Sequence, residues 1–192
     1  MNNTIDINCD VGEGVCNESE LFPLISSCNI SCGAHAGSID TVKKCLDLSK
    51  SYNVKVGAHP SYPDRKNFGR VSLQISRADL IASIRFQMEV FNNAREQAGV
   101  DLHHIKPHGA LYNDIAKNEI LAEIFLEAIA AFRNSTFLYV PYNSVIQKLA
   151  EKNGFRVLIE AFADRNYNDD LSLVARKEKN ALLNNGEEVL AH

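Results

Sequence analysis

Six times along this chain a short run of alternating apolar and polar residues ends in a turn rich in glycine, proline or histidine. Each time a stretch with helical spacing follows, and no two runs meet across a hairpin signal. That order constrains the fold more than any other feature. Strands separated by helices must run parallel, in an open doubly wound sheet or a barrel.

The first run, Thr4 to Asp10, places Ile5, Ile7, Cys9 and Val11 on one parity and Thr4, Asp6, Asn8 and Asp10 on the other. Gly12-Glu13-Gly14 breaks it, and residues 17–26 suggest a short helix with Leu21, Phe22, Leu24 and Ile25 apolar. A second strand covers 28–32. A helix follows from Ser38, an acceptable N-cap, with Val42, Cys45, Leu46 and Leu48 as candidate buried positions. The third strand, 54–59, ends in His59 and is closed by Pro60 and Pro63; residues 60–75 form a long loop of the kind that often carries function. Ser76-Arg-Ala-Asp79 resembles a capping box and opens the clearest helix, with Leu80, Ile84, Met88 and Phe91 at helical spacing and Gly99 as a stop. A fourth strand lies in the stretch from His104. The remaining expectations are a helix over 113–132, strand 136–140, helix 143–153, strand 156–160 and a final helical piece over 174–192, broken at Asn184-Asn-Gly186.

Strands covered on both faces should read apolar throughout. Here one parity is repeatedly polar: Asn8 and Asp10, Asn29 and Ser31, His59, then His104, Lys106 and His108, then Glu160. A barrel explains this, with the polar parity facing the interior and its mouth. Asp10, Glu13, His35, His59, Lys106, His108, Glu160 and Asp164 all fall at the C-terminal strand ends, where barrels build active sites. An open sheet with a crevice at its switch point is the rival geometry.

Each residue also has a plain structural role available. A single strand-end histidine is usually just hydrogen-bonded, Asp10 or Glu13 can cap a helix, and Arg70 and Arg165 can be surface ion pairs. Cys28 and Cys32 read as small core residues, and no Cys-x-x-Cys pair or phosphate-binding glycine loop occurs. The argument for chemistry is the coincidence of five strands ending in an acid, base or cation on one parity. Carboxylates with histidines suit general acid–base hydrolysis, and Lys106 with the arginines suits an anion or a developing oxyanion. Asp10, His59 and His108 could also hold a divalent metal, although no residue is assigned as a ligand.

The 192 residues, 45% hydrophobic with a formal net charge of −4, suit one domain and disfavour an electrostatically bound nucleic acid. The N-terminus lacks a signal-peptide pattern, no apolar run reaches the roughly 20 residues that span a bilayer, and the five cysteines are an odd number. Together these suggest a cytoplasmic protein with reduced thiols and no membrane partner.

Six blocks, in order, resemble those of the LamB/YcsF lactam-utilisation family. They are Asn8-Cys-Asp10-Val-Gly-Glu13, Asn29-Ile-Ser-Cys-Gly-Ala-His35-Ala-Gly37, Gly57-Ala-His-Pro-Ser-Tyr-Pro-Asp64, Phe68-Gly-Arg70, Lys106-Pro-His-Gly-Ala-Leu-Tyr-Asn113 and Glu160-Ala-Phe-Ala-Asp-Arg165. The resemblance implies a distorted (β/α) barrel of the glycoside hydrolase/deacetylase type, a single domain over 1–192. It further implies the A subunit of an ATP-dependent 5-oxoprolinase, which opens 5-oxoproline (pyroglutamate) to L-glutamate with ATP as co-substrate and the B and C subunits as partners. An unstrained lactam is a poor electrophile, and phosphorylating its amide oxygen would create a good leaving group. The blocks imply catalytic roles for Asp10, Glu13, His59, Lys106, His108 and Glu160. They imply substrate contacts for Asn8, His35, Asp64, Arg70, Tyr112, Asn113, Asp164 and Arg165. Asp10, Glu13 or Glu160 would be the base, His59 and His108 would carry protons, and Lys106 with Arg70 would bind a carboxylate or phosphate. The family pattern departs at Ala34, usually aromatic, and extends past residue 192 into a further strand, so the barrel is expected to be incomplete at its C-terminal side. The alternatives are a metal-dependent deacetylase-like hydrolase and a non-catalytic ligand-binding member of a complex.

Overall fold

The computed structural model describes residues 5–191. Six strands, β1 (Asn8–Val11), β2 (Ser27–Ser31), β3 (Lys55–His59), β4 (Leu102–Ile105), β5 (Phe137–Pro141) and β6 (Arg156–Glu160), pair in sequence order, every pair parallel. In a flat sheet five gaps of about 4.8 Å would hold the edges about 24 Å apart. Instead the Asn8 amide on β1 donates to the Glu160 carboxylate on β6 at 3.1 Å. The sheet therefore curls into a half-barrel with its polar parity inward.

The helices α1 (Glu18–Leu21), α2 (Ile39–Tyr52), α3 (Arg77–Gln97), α4 (Gly109–Ile115), α5 (Glu119–Ala128) and α6 (Val145–Lys152) fill the crossovers, and α7 (Gly186–Ala191) closes the described chain. Ser38 accepts from the Thr41 amide and Ser76 from the Asp79 amide, so the expected N-caps form. The α3 stripe Leu80, Ile84, Met88 and Phe91 is buried, each side chain contributing about 1.5–3 kcal/mol by leaving water.

Several expectations need correction. Thr4 lies outside the described residues, and β1 begins only at Asn8. Ile5 and Ile7 precede β1 and are exposed, whereas Val11 on the same parity, inside the strand, is fully buried. Leu24 is exposed where Pro23 turns the chain into a 3-10 turn after α1. The single helix expected over 113–132 is two, α4 and α5. The Asn118 side chain accepts from the Leu121 amide and starts a new helix, which turns Ile120 outward. The expected helix from 174 is irregular until Gly186, pinned by isolated bridges Arg165–Leu182 and Tyr167–Leu173.

Candidate functional site

The polar parity builds the floor of the site first. On β2, Asn29 donates to Asn8 Oδ1 at 2.7 Å and to Asp10 Oδ1 at 2.9 Å, and its Oδ1 accepts from His104 Nε2 at 2.6 Å. The His104 ring is fully buried and stacks on Tyr139, centroids 4.0 Å apart. It fits only because position 57 is glycine, since a Cβ there would lie 2.1 Å from His104 Nε2.

Above this floor stands a lysine between carboxylates. The segment after β4 stays strapped to β3, Lys106 N donating to Ala58 O and His108 N to Pro60 O, each at 2.9 Å. That aims the buried Lys106 ammonium at Asn8 Oδ1 (3.0 Å), Glu160 Oε2 (3.2 Å) and Asp10 Oδ1 (3.5 Å). Burial alone would lower the lysine pKa, but Asp10 and Glu160 outweigh it and raise it. For Asp10 burial works upward, and the His59 and Lys106 charges with hydrogen bonds from His59 and Asn29 hold it well below the usual carboxylate range. Its side chain is still 34% exposed, so it is desolvated by protein yet open to the cavity.

Beside the lysine lies a cluster of three histidines and a glutamate. Glu13 Oε1 is 2.9 Å from His35 Nε2 and 3.3 Å from His108 Nδ1, and His108 Nδ1 is 2.9 Å from His59 Nε2. Each outer nitrogen is seated: His59 Nδ1 on Lys106 O, His108 Nε2 on Phe68 O and His35 Nδ1 on Ser61 Oγ. Burial pushes Glu13 up, but hydrogen bonds with His108 and His35 bring it down to about 2. His35 falls to about 4, chiefly by burial. For His59 burial pulls down, and Asp10 overrides it and raises the ring's pKa. One inward atom from each of Glu13, His35, His59 and His108 lies within 4.8 Å of the others, a set able to hold a metal ion. The Phe68-Gly-Arg70 and Lys106-Pro-His-Gly109 blocks meet here. Ala110 N donates to Gly69 O, and a Cβ at Gly109 would stand 2.5 Å from that same oxygen.

A cavity of about 650 Å³ opens over both groups, lined by Asp10, Glu13, His59, Lys106, His108 and Glu160 among others. Arg70, Tyr112, Asn113 and Arg165 also line it. Arg165 is buried, however, with Nε on Ala181 O and Nη2 on Val174 O, which makes it a brace of the irregular segment. Asn8 lies beneath the cavity in the floor, and His35 behind Glu13. Asp64 does not reach the cavity. Its carboxylate is taken up by the Asn67 side chain and amide, because the loop turns it inward. Asp164 also lies off the lining, and its carbonyl accepts from Leu183 N. Of the metal set that the sequence suggests, His59 and His108 belong to the group that converges with Glu13 and His35, and Asp10 Oδ2 lies 3.4 Å from His59 Nε2.

Two buried oxygens at the cavity, Tyr112 Oη and Glu160 Oε1, make no well-formed hydrogen bond within the protein. Burial first, then the Glu160 charge and the closeness of its carboxylate to the hydroxyl, raises the Tyr112 pKa far above its ordinary value, so it is a neutral donor. Among the described residues no carboxylate ion-pairs with Arg70 or with Arg176, a further cavity cation that the sequence pattern does not single out. Arg176 sits in the polar run Ala175-Arg-Lys-Glu-Lys-Asn180, which has no periodicity to orient it.

Comparison with known proteins agrees with this fold. The model of the LamB/YcsF family matches residues 5–192. The A subunit of 5-oxoprolinase from Histophilus somni (strain 129Pt) is 38% identical over 187 residues, covering 97% of this chain and 76% of the relative. That of Bacillus cereus (strain AH187) is 38% identical over 193 residues, with the same two coverages. The crystal structure of the lactam utilization protein from Thermus thermophilus superposes with a TM-score of 0.91 at 34% identity, covering 98% of this chain and 78% of that one. A cellobiose-phosphate cleavage protein of Enterococcus faecalis V583, at TM-score 0.55 and 13% identity, shares the fold alone.

Proposed function

The chain belongs to the LamB/YcsF family, and from that premise we propose that it opens 5-oxoproline to L-glutamate as the A subunit of an ATP-dependent 5-oxoprolinase, acting with the B and C subunits in the cytoplasm. No helix among the described residues is long and apolar enough to cross a membrane.

The observation that carries the reading is the pair of buried oxygens beside Lys106 that make no well-formed hydrogen bond within the protein. A five-membered lactam is a cis amide, and it presents its carbonyl oxygen and its N–H along one edge. Tyr112 offers a hydroxyl to the carbonyl, and Glu160 Oε1 accepts the N–H. A buried donor or acceptor left unpaired costs about 1–3 kcal/mol, which a ligand with that edge recovers. The Lys106 ammonium stabilises negative charge developing on the carbonyl oxygen. Asp10, ionised and open to the cavity, positions water for attack on the ring carbon. Arg70 and Arg176 receive the carboxylate of the substrate or a transferred phosphate. Asn113, also on the lining, contributes a neutral contact.

The test is glutamate release from 5-oxoproline and ATP with the B and C subunits present. Glu160→Gln should lower kcat at least a hundredfold while circular dichroism stays unchanged. Release at the wild-type rate by that variant would remove Glu160 from the reaction, and no release by the wild-type complex would reject the activity.

A further inference from the structure

The outer nitrogens of the histidine cluster determine where its hydrogens are. His59 Nδ1 is 2.7 Å from the Lys106 carbonyl and His108 Nε2 is 2.9 Å from the Phe68 carbonyl. A carbonyl only accepts, so both nitrogens carry hydrogen. Without a shared proton His59 Nε2 and His108 Nδ1 are therefore bare lone pairs that face each other at 2.9 Å. Asp10 Oδ2 lies 3.4 Å from His59 Nε2 as a further acceptor. Glu13 Oε1 adds another, 3.3 Å from His108 Nδ1 and 3.8 Å from His59 Nε2. The Ser61 hydroxyl donates to Tyr62 O at 2.9 Å, which leaves its oxygen to accept from His35 Nδ1. His35 Nε2 is then a further lone pair, 2.9 Å from Glu13 Oε1.

Lone pairs and a carboxylate packed this closely repel unless a cation lies among them. One proton can bridge one pair, whereas four converging atoms match a metal ion. A tetrahedral ion with bonds of about 2.1 Å has ligand–ligand edges of about 3.4 Å. Among Glu13, His59 and His108 the distances of 2.9, 3.3 and 3.8 Å straddle that value, and all four atoms lie within 4.8 Å of one another. The His35 and His108 rings stack 3.7 Å apart at 5°, a contact that disfavours two imidazolium ions. Each histidine also has its second nitrogen anchored, the outer-shell arrangement that orients metal-ligating imidazoles.

We infer that Glu13 Oε1, His35 Nε2, His59 Nε2 and His108 Nδ1 bind one divalent transition-metal ion of the zinc class. Three imidazoles with one carboxylate favour such an ion over calcium or magnesium. Glu13, His59 and His108 line the cavity, so the ion is reached from the same space as Lys106. The inference goes beyond the proposed lactam opening and stands whether or not that reaction is found.

The test titrates Zn²⁺ and Co²⁺ into the chelator-treated full chain, following heat and the visible spectrum of bound cobalt. One ion per chain, with cobalt bands free of thiolate charge transfer, is expected. Affinity should fall at least a hundredfold in His108→Ala and Glu13→Gln and stay unchanged in Cys16→Ser, which removes the exposed thiol. Where His108→Ala fails to fold, Glu13→Gln, nearly the same shape, decides. Absent binding, affinity unchanged in Glu13→Gln, or a thiolate spectrum would overturn the site.

Discussion

The two walls of the cavity are built on opposite plans. On the histidine wall every outer ring nitrogen is seated on a protein oxygen, so Glu13, His35, His59 and His108 are held from behind and their free atoms converge on one another. On the lysine wall Lys106 donates to Asn8 and is ion-paired with Asp10 and Glu160, but Glu160 Oε1 and Tyr112 Oη make no well-formed hydrogen bond within the protein. The first wall is complementary to a cation inside it. The second is complementary to a molecule in front of it.

The largest effect should come from removing the charge at the centre of the open wall. Lys106→Ala leaves Asp10 and Glu160 facing each other, and breaking a buried pair in this way costs about 3–5 kcal/mol of stability. Glutamate release should fall about a thousandfold, the scale of losing one oxyanion donor. Urea melts with rate assays would check both. A variant that stays within tenfold of wild-type activity would break the contrast, because the lysine would then be structural only.

Next in size is Ser61→Ala, which acts on the closed wall from behind. It removes the oxygen that seats His35 Nδ1 and should weaken metal affinity about 10–100-fold, with any activity loss reversed by excess metal. Calorimetric titration checks the affinity. Tyr112→Phe probes the open wall. It removes a buried hydroxyl that makes no well-formed hydrogen bond within the protein, so stability should not fall. By contrast kcat/KM should drop about tenfold, as expected for one lost neutral hydrogen bond to substrate. A Tyr112→Phe melt shifted as far as that of Lys106→Ala would erase the difference between the walls.

How much of this is legible in the sequence follows from what periodicity can carry. Strand-borne positions alternate strictly, so the parity of Asn8, Asp10, Asn29, His59, His104 and Glu160 places them inside without any coordinates. The bounds of β6 agree with the sequence pattern to the residue. Alternation gives a face but not where the strand begins, which is why Ile5 and Ile7, ahead of β1, look like core and are exposed. The break between α4 and α5 is hidden because the apolar spacing continues across Asn118, whose capping role depends on its local conformation. Residues borne by loops have no such frame. Arg176 escapes notice for that reason, and Asp64 and Asp164 are assigned to the substrate because their motifs hold them, although neither lines the cavity.

Asp64 therefore gives the smallest and most discriminating expectation. Its side chain is buried, accepting from Asn67 Nδ2 at 3.0 and 2.9 Å and from the Asn67 amide at 3.2 Å. Gly69 N donates to its carbonyl at 2.8 Å, and that loop goes on to carry Gly69 O, which holds α4, and Arg70. Asp64→Asn replaces one acceptor oxygen with an N–H₂ that faces the Asn67 amide donors. The cost should be about 1 kcal/mol, the scale of one lost hydrogen bond, and the urea midpoint should fall with its slope unchanged. If Asp64 only braces the loop, KM for 5-oxoproline should stay within about twofold. A tenfold rise in KM with an unaltered melt would mean that Asp64 meets the substrate, and the open wall would then extend across the loop to the β3 side of the cavity.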